Sequence, residues 1–81
     1  MRCFVYRSQR KRGAYLYLSA KDEFSLVPAG LMKVFGRPML VLDFELAPTR
    51  QLAAADAVQV LEKLQTQGYY LQVPSQDDPH G

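Results

Sequence analysis

The apolar residues of this chain follow two periods, and the switches between them divide it into six elements. Residues 2–7 and 14–19 alternate with period two, as strands do. In the first run Cys3 and Val5 point one way and Phe4 and Tyr6 the other; in the second, Ala14, Leu16 and Leu18 oppose Tyr15 and Tyr17. Both faces of this pair are largely apolar, so the sheet it builds needs a covering layer on each side. The joining segment Arg7-Ser8-Gln9-Arg10-Lys11-Arg12-Gly13 is too long for a two-residue turn, and Gly13 supplies the positive-φ position where the chain re-enters the sheet.

The period then becomes helical. Val27, Leu31, Val34 and Phe35 share a face, with Met32 beside them, which predicts a helix over 28–35. Pro28 suits its first turn, and Gly36 followed by Pro38 stops it, with Gly36 in the left-handed conformation. Phe24 and Leu26 are expected to tuck beneath this helix. Alternation returns over 39–46, where Leu40, Leu42, Phe44 and Leu46 form an unbroken inward face and Asp43 and Glu45 emerge opposite. A second helix is expected over 54–67, with Asp56 in its first turn, a face of Ala57, Val60 or Leu61, and Leu64, and Gly68 ending it. A last strand covers 69–73, closed by Pro74, and residues 75–81 read as a disordered tail after a single domain at 1–74. The order is β-β-α-β-α-β, opening with a hairpin. Its β-α-β units favour right-handed parallel crossovers wherever their strands share a sheet, and the strand order stays open.

Composition narrows the class. Eighty-one residues make one small domain, and 48% hydrophobic content is that of a folded chain. One cysteine, Cys3, allows no intrachain disulfide, which fits a reducing compartment. No apolar run reaches membrane-spanning length and the start lacks a signal-peptide pattern, so a cytoplasmic protein is expected. The net charge of +2 hides an uneven distribution. Residues 1–21 hold six basic and no acidic side chains, while the rest holds four basic and all eight acids.

Chemistry is sparse. The only histidine, His80, falls in the expected tail, and Cys3 points to a core face, so a nucleophile with its base is not assembled. One cysteine and one histidine cannot make a zinc site without carboxylates, and the single glycines at 13 and 36 are not a phosphate loop. No catalytic, cofactor-binding or metal-ligating set is assigned. Asp43 and Glu45 share a strand face, but with no third ligand they read as a solvated strand end. Phe4, Tyr6, Tyr15 and Tyr17 are expected together on one face of the hairpin. They are a base-stacking platform if that face is open and core if a helix covers it.

Assembled, the segments resemble a known family. Cys3-Phe4-Val5-Tyr6-Arg7-Ser8, Tyr15-Leu16-Tyr17-Leu18, Phe24-Ser25-Leu26-Val27-Pro28 and Leu31-Met32-Lys33-Val34-Phe35-Gly36-Arg37-Pro38 are similar to the YcgL-domain family of small proteobacterial proteins. Leu52-Ala53-Ala54-Ala55-Asp56 and Gln67-Gly68-Tyr69-Tyr70-Leu71-Gln72-Val73-Pro74 continue the pattern in order, so it spans nearly all of the chain to Pro74. Ala54 departs from it, since relatives can carry a capping residue such as Asn there. The resemblance implies an α/β fold, a three-layer α/β/α sandwich, which favours the core reading of the aromatics. It implies no catalytic mechanism. Genes of the family can lie near that of a ribonuclease D-like enzyme, a hint toward RNA metabolism.

Two functions follow as expectations. The first is a non-catalytic protein-interaction or adaptor module that uses no cofactor. The second is weak nucleic-acid (RNA) binding through Arg7, Arg10, Lys11 and Arg12 of the hairpin loop, helped by Arg2 and Lys21.

Overall fold

The computed structural model of the chain describes residues 1–49 and 56–73. Six elements appear in the expected order: β1 (Arg2–Ser8), β2 (Tyr15–Leu18), α1 (Ala29–Phe35), β3 (Pro38–Glu45), α2 (Ala57–Thr66) and β4 (Tyr69–Gln72). The expected start of the second helix at 54–55, the cap position Ala54 and the tail 75–81 lie outside the described residues.

The strands form one four-stranded sheet in the order β3-β1-β2-β4. Every neighbouring pair is antiparallel. The protein is therefore a small α+β domain with no parallel pair of adjacent strands. Of the crossovers expected from the β-α-β order, β2-α1-β3 joins parallel strands that are not neighbours, and β3-α2-β4 joins antiparallel ones. The reason lies in the hairpin. Its two strands pair with each other through Phe4↔Leu18, Val5↔Tyr17, Tyr6↔Leu16 and Arg7↔Tyr15, which leaves one open edge on each. The later strands take those edges, β3 beside β1 and β4 beside β2. β2 and β3 run in the same direction, but β1 lies between them.

The hairpin takes the centre because it is apolar on both sides. Cys3, Val5, Tyr6, Leu16, Tyr17 and Leu18 are all buried. Alternate residues feed two separate clusters. Cys3, Val5 and Tyr17 join Phe44, Leu46 and the α2 residues Ala57, Val60 and Leu64. Tyr6, Ala14, Leu16 and Leu18 join Val27 and Phe35, with Leu31 and Met32 of α1 half-buried against them. This corrects the aromatic expectation. Phe4 and Tyr6 belong to one cluster, Tyr15 and Tyr17 to the other. The register pairs even-numbered with even-numbered residues, so Tyr6 shares its face with Leu16 rather than with the tyrosines of β2.

The polar ends of these rings are satisfied. The Tyr6 hydroxyl donates to the Asp22 carboxylate at 3.1 Å and accepts from the Asp22 backbone N–H at 2.7 Å. Phe24 packs edge-on against the same ring, with centroids 4.9 Å apart. The Tyr17 hydroxyl donates to the Gln72 side chain at 2.8 Å, and Tyr70 packs edge-on against Tyr17. Each buried phenol thus ties a hairpin strand to the segment beside it.

Helix ends follow the residues expected to set them. Asp56, expected inside the first turn, is instead the extended N-cap of α2, which begins at Ala57; its carboxylate accepts from the Val58 N–H at 3.0 Å. Gly68, at φ +90, follows the C-cap of that helix. Leu26 lies against Gly68 and is 61% exposed instead of tucked under α1. Val34, expected on the inner face of α1, is 62% exposed.

β3 differs most from expectation. Leu42, Phe44 and Leu46 continue the alternation, but a bulge interrupts the ladder between Val5 and Tyr6. Val5 faces Leu42 and Tyr6 faces Leu40, so Val41 is the extra residue. The bulge moves Leu40 to the other face of the sheet from Leu42. The expected unbroken face is split, and Met39, Leu40, Val41 and Leu42 all stand exposed on the outer strand. Burial begins at Phe44.

The two halves of β3 should therefore respond differently to substitution. Phe44→Ala is expected to cost about 3–5 kcal/mol in urea unfolding. Leu42→Thr should stay within about 0.5 kcal/mol of the parent.

Candidate functional site

The basic hairpin loop is a built structure, and one hydroxyl organises it. Ser8, the last residue of β1, is buried. Its Oγ accepts from the backbone N–H of Arg10 at 3.1 Å and of Lys11 at 2.7 Å. It donates to the Phe35 carbonyl at the end of α1 at 2.5 Å. A short hydroxyl side chain at a strand end can capture N–H groups two and three residues on, folding the loop over itself. The Ser8 N–H donates to the Ala14 carbonyl at 3.0 Å and the Ala14 N–H to the Lys11 carbonyl at 3.2 Å. Gly13, at φ +86, makes the return as expected.

The loop is also pinned to α1 from outside. The Arg10 guanidinium donates to the Lys33 carbonyl at 3.3 Å, occupying a helix C-terminal carbonyl. Gly36 permits this approach. Its backbone sits at φ +79 and ψ −156, a region open only to glycine and distinct from the left-handed helical region expected. A Cβ there would lie 2.9 Å from the Arg10 Cβ.

These contacts distribute the four basic residues among different tasks. Arg10 caps α1. Lys11 stands at the rim of an apolar groove against α1. Arg7 and Arg12 alone come together, lining a polar cleft of about 380 Å³ with Ser8, Gln9, Gly13 and Met39. The Arg7 guanidinium touches the Met39 sulfur at 3.5 Å. Neither arginine has an acidic partner among the described residues. Arg2 lies at the other end of β1, paired with Asp43 at 2.7 Å, so it does not extend the loop's charge. Ser8 is the residue that charge counting passes over; its signal in the sequence is a serine between an apolar strand and a polar loop.

The acidic end of β3 is engaged in pairing. Asp43 holds Arg2, and Glu45 meets the amino group of Met1 at 2.5 Å, which lowers the Glu45 carboxyl below its usual range. Among the described residues, no three His, Cys, Asp or Glu side chains gather where they could hold a metal ion. No helix among them is long and apolar enough to cross a membrane. Cys3 is free and buried in the α2-side cluster. Burial pushes its thiol up from the ordinary 9.0 to about 11, so it is held as a protonated, unreactive thiol at neutral pH. Burial likewise raises Tyr17 and Tyr6.

Comparison with known proteins places this geometry in context. A family model described as YcgL domain matches residues 3–75. A YcgL domain-containing protein of Thioalkalivibrio sulfidiphilus is 46% identical over 78 residues, covering 96% of each chain. One from Haemophilus influenzae is 45% identical over 96% of this chain and 89% of its own. One from Aeromonas hydrophila is 49% identical over 91% of this chain and 80% of its own. These names carry no activity.

Two outcomes test the site. Ser8→Ala strands two N–H groups and a helix-end carbonyl; it should cost about 1–3 kcal/mol and speed amide exchange at Arg10 and Lys11. Cys3 contributes stability that is fully present below pH 9 and lost as pH rises toward 11, because the unfolded chain gives up its thiol proton first. The fall in chemical-denaturation midpoint between pH 8.5 and 10 should be shallower in Cys3→Ala than in the parent.

Proposed function

The chain belongs to the YcgL domain family, and for this member we propose a non-catalytic protein-interaction module that docks an acidic segment of a partner in the Arg7–Arg12 cleft. The observation that carries this reading is the pair of arginines lining one open cleft with no acidic partner among the described residues. Their charge is left for an outside group. Arg7 and Arg12 offer planar forks suited to carboxylates. Met39 and the exposed aliphatic residues Leu40, Val41 and Leu42 continue from the cleft along β3, apolar surface of the kind that contacts protein.

The aromatic residues weigh against RNA as the primary partner. The large apolar side chains exposed among the described residues are all aliphatic, whereas single-stranded nucleic acid is gripped by stacking on aromatic faces. Tyr6 and Tyr17 are buried, with their hydroxyls engaged inside the protein. In this reading the domain works in the cytoplasm without a cofactor. Its two helices are the outer layers of an α/β/α sandwich whose rigid centre holds the loop.

The test is capture from native lysate on immobilised protein, with and without nuclease. Protein capture that resists nuclease, weakens at high salt and is lost in the Arg7→Ala/Arg12→Ala double variant is the expected result. Capture that nuclease abolishes overturns the reading in favour of RNA. Labelled RNA would then show a log–log salt slope of about −1.5 for two phosphate contacts. Capture unchanged in the double variant removes the cleft from the function.

A further inference from the structure

A second concavity lies on the other side of the basic loop, and its chemistry is different. It measures about 240 Å³ and is lined by Lys11, Ala14, Leu31, Val34, Phe35, Leu71 and Val73. Ala14 and Phe35 are buried and form its floor. Leu31 of α1 and Leu71 of β4 are half-buried along its sides, while Val34 and Val73 are exposed at its margin. Among the described residues, every lining side chain is apolar except Lys11. The backbone of that lysine is fixed, since its N–H is held by the Ser8 hydroxyl and its carbonyl accepts from Ala14, which sets where the exposed side chain leaves the loop.

From this arrangement we propose that the groove binds a small amphipathic carboxylate, an alkyl chain of roughly six to ten carbons whose head meets the Lys11 ammonium. Three observations select that class. An apolar cavity of about 150 Å³ accepts benzene, so this one takes a longer chain. Among the described residues, the walls offer aliphatic and aromatic carbon, with no polar side chain besides Lys11 to satisfy a hydroxylated ligand. Among the described residues lining the groove, the one charged side chain is positive, which favours an anionic head over a neutral or cationic one. The site is separate from the arginine cleft and does not depend on it. Lys11 is thereby assigned a task apart from Arg7 and Arg12, which the sequence places beside it in a single basic run.

Octanoate is the probe, titrated into isotopically labelled full chain and followed by two-dimensional NMR. Saturable shifts at Ala14, Leu31, Phe35 and Leu71 are expected. Octanol and octyltrimethylammonium, of equal chain length, should bind about threefold to fivefold more weakly, the size of one exposed charge pair. Acetate, which has the head without the chain, should give no shifts there. Lys11→Glu should weaken octanoate by at least the same factor and narrow its advantage over the cation. Val34→Asp changes an exposed residue, so the fold is kept, and a negative rim should weaken octanoate similarly. Absence of saturable shifts at these residues, equal binding of the three head groups, or octanoate affinity untouched by both variants would each overturn the proposal.

Discussion

The hydroxyl of Ser8 is the constraint on which the functional face of this protein depends. It is buried at the end of a central strand and satisfies three backbone groups at once, the N–H groups of Arg10 and Lys11 and the carbonyl of Phe35. A buried polar group left unpaired costs more than a hydrogen bond returns, so the loop and the end of α1 must keep their places together. Through one side chain, sheet, loop and helix become a unit. Gly36 and Arg10 secure the same junction from outside.

That junction converts a run of charge into surfaces with different chemistry. Four basic residues within six positions would be equivalent on a flexible loop. Held by Ser8, they are not. Arg10 is spent on a helix end, Lys11 borders carbon, and Arg7 and Arg12 share a polar cleft. Adjacent residues of a tight loop project in divergent directions, and a count of charges along the chain cannot separate them.

The sheet shows the same division between local and distant causes. The hairpin strands are apolar on both sides, which required a covering layer on each face; their central place in the sheet came with the strands that took their two edges. The paired phenols then bind that centre to its surroundings, Tyr6 to Asp22 and Tyr17 to Gln72. β3 occupies the opposite situation. Its first half is as hydrophobic as any segment of the chain, yet it lies at the sheet edge with little above or below it. Pro38 at its start, the bulge at Val41 and the charges of Asp43 and Glu45 are features that discourage pairing along an open edge. An apolar residue in a strand is therefore not evidence of a core position until its neighbours are known.

The elements and their order were legible in the sequence because they rest on local causes. Alternation, helical spacing, Pro28, Asp56, and the glycines at 13, 36 and 68 act within a few residues, and each falls at or beside an element end, Asp56 as a cap outside its helix instead of within the first turn. The family, too, was carried by short segments in a fixed order. The tertiary structure decided what depends on residues far apart in the chain. It decided which strand takes which edge, and so set β1 between the parallel strands β2 and β3 and made every adjacent pair antiparallel. It separated Tyr15 and Tyr17 from Phe4 and Tyr6 through the hairpin register, and exposed Leu40 and Leu42 by placing β3 outermost. It gave Ser8 its role, because the carbonyl that Ser8 meets lies 27 residues away, and that contact exists only once strand and helix have packed.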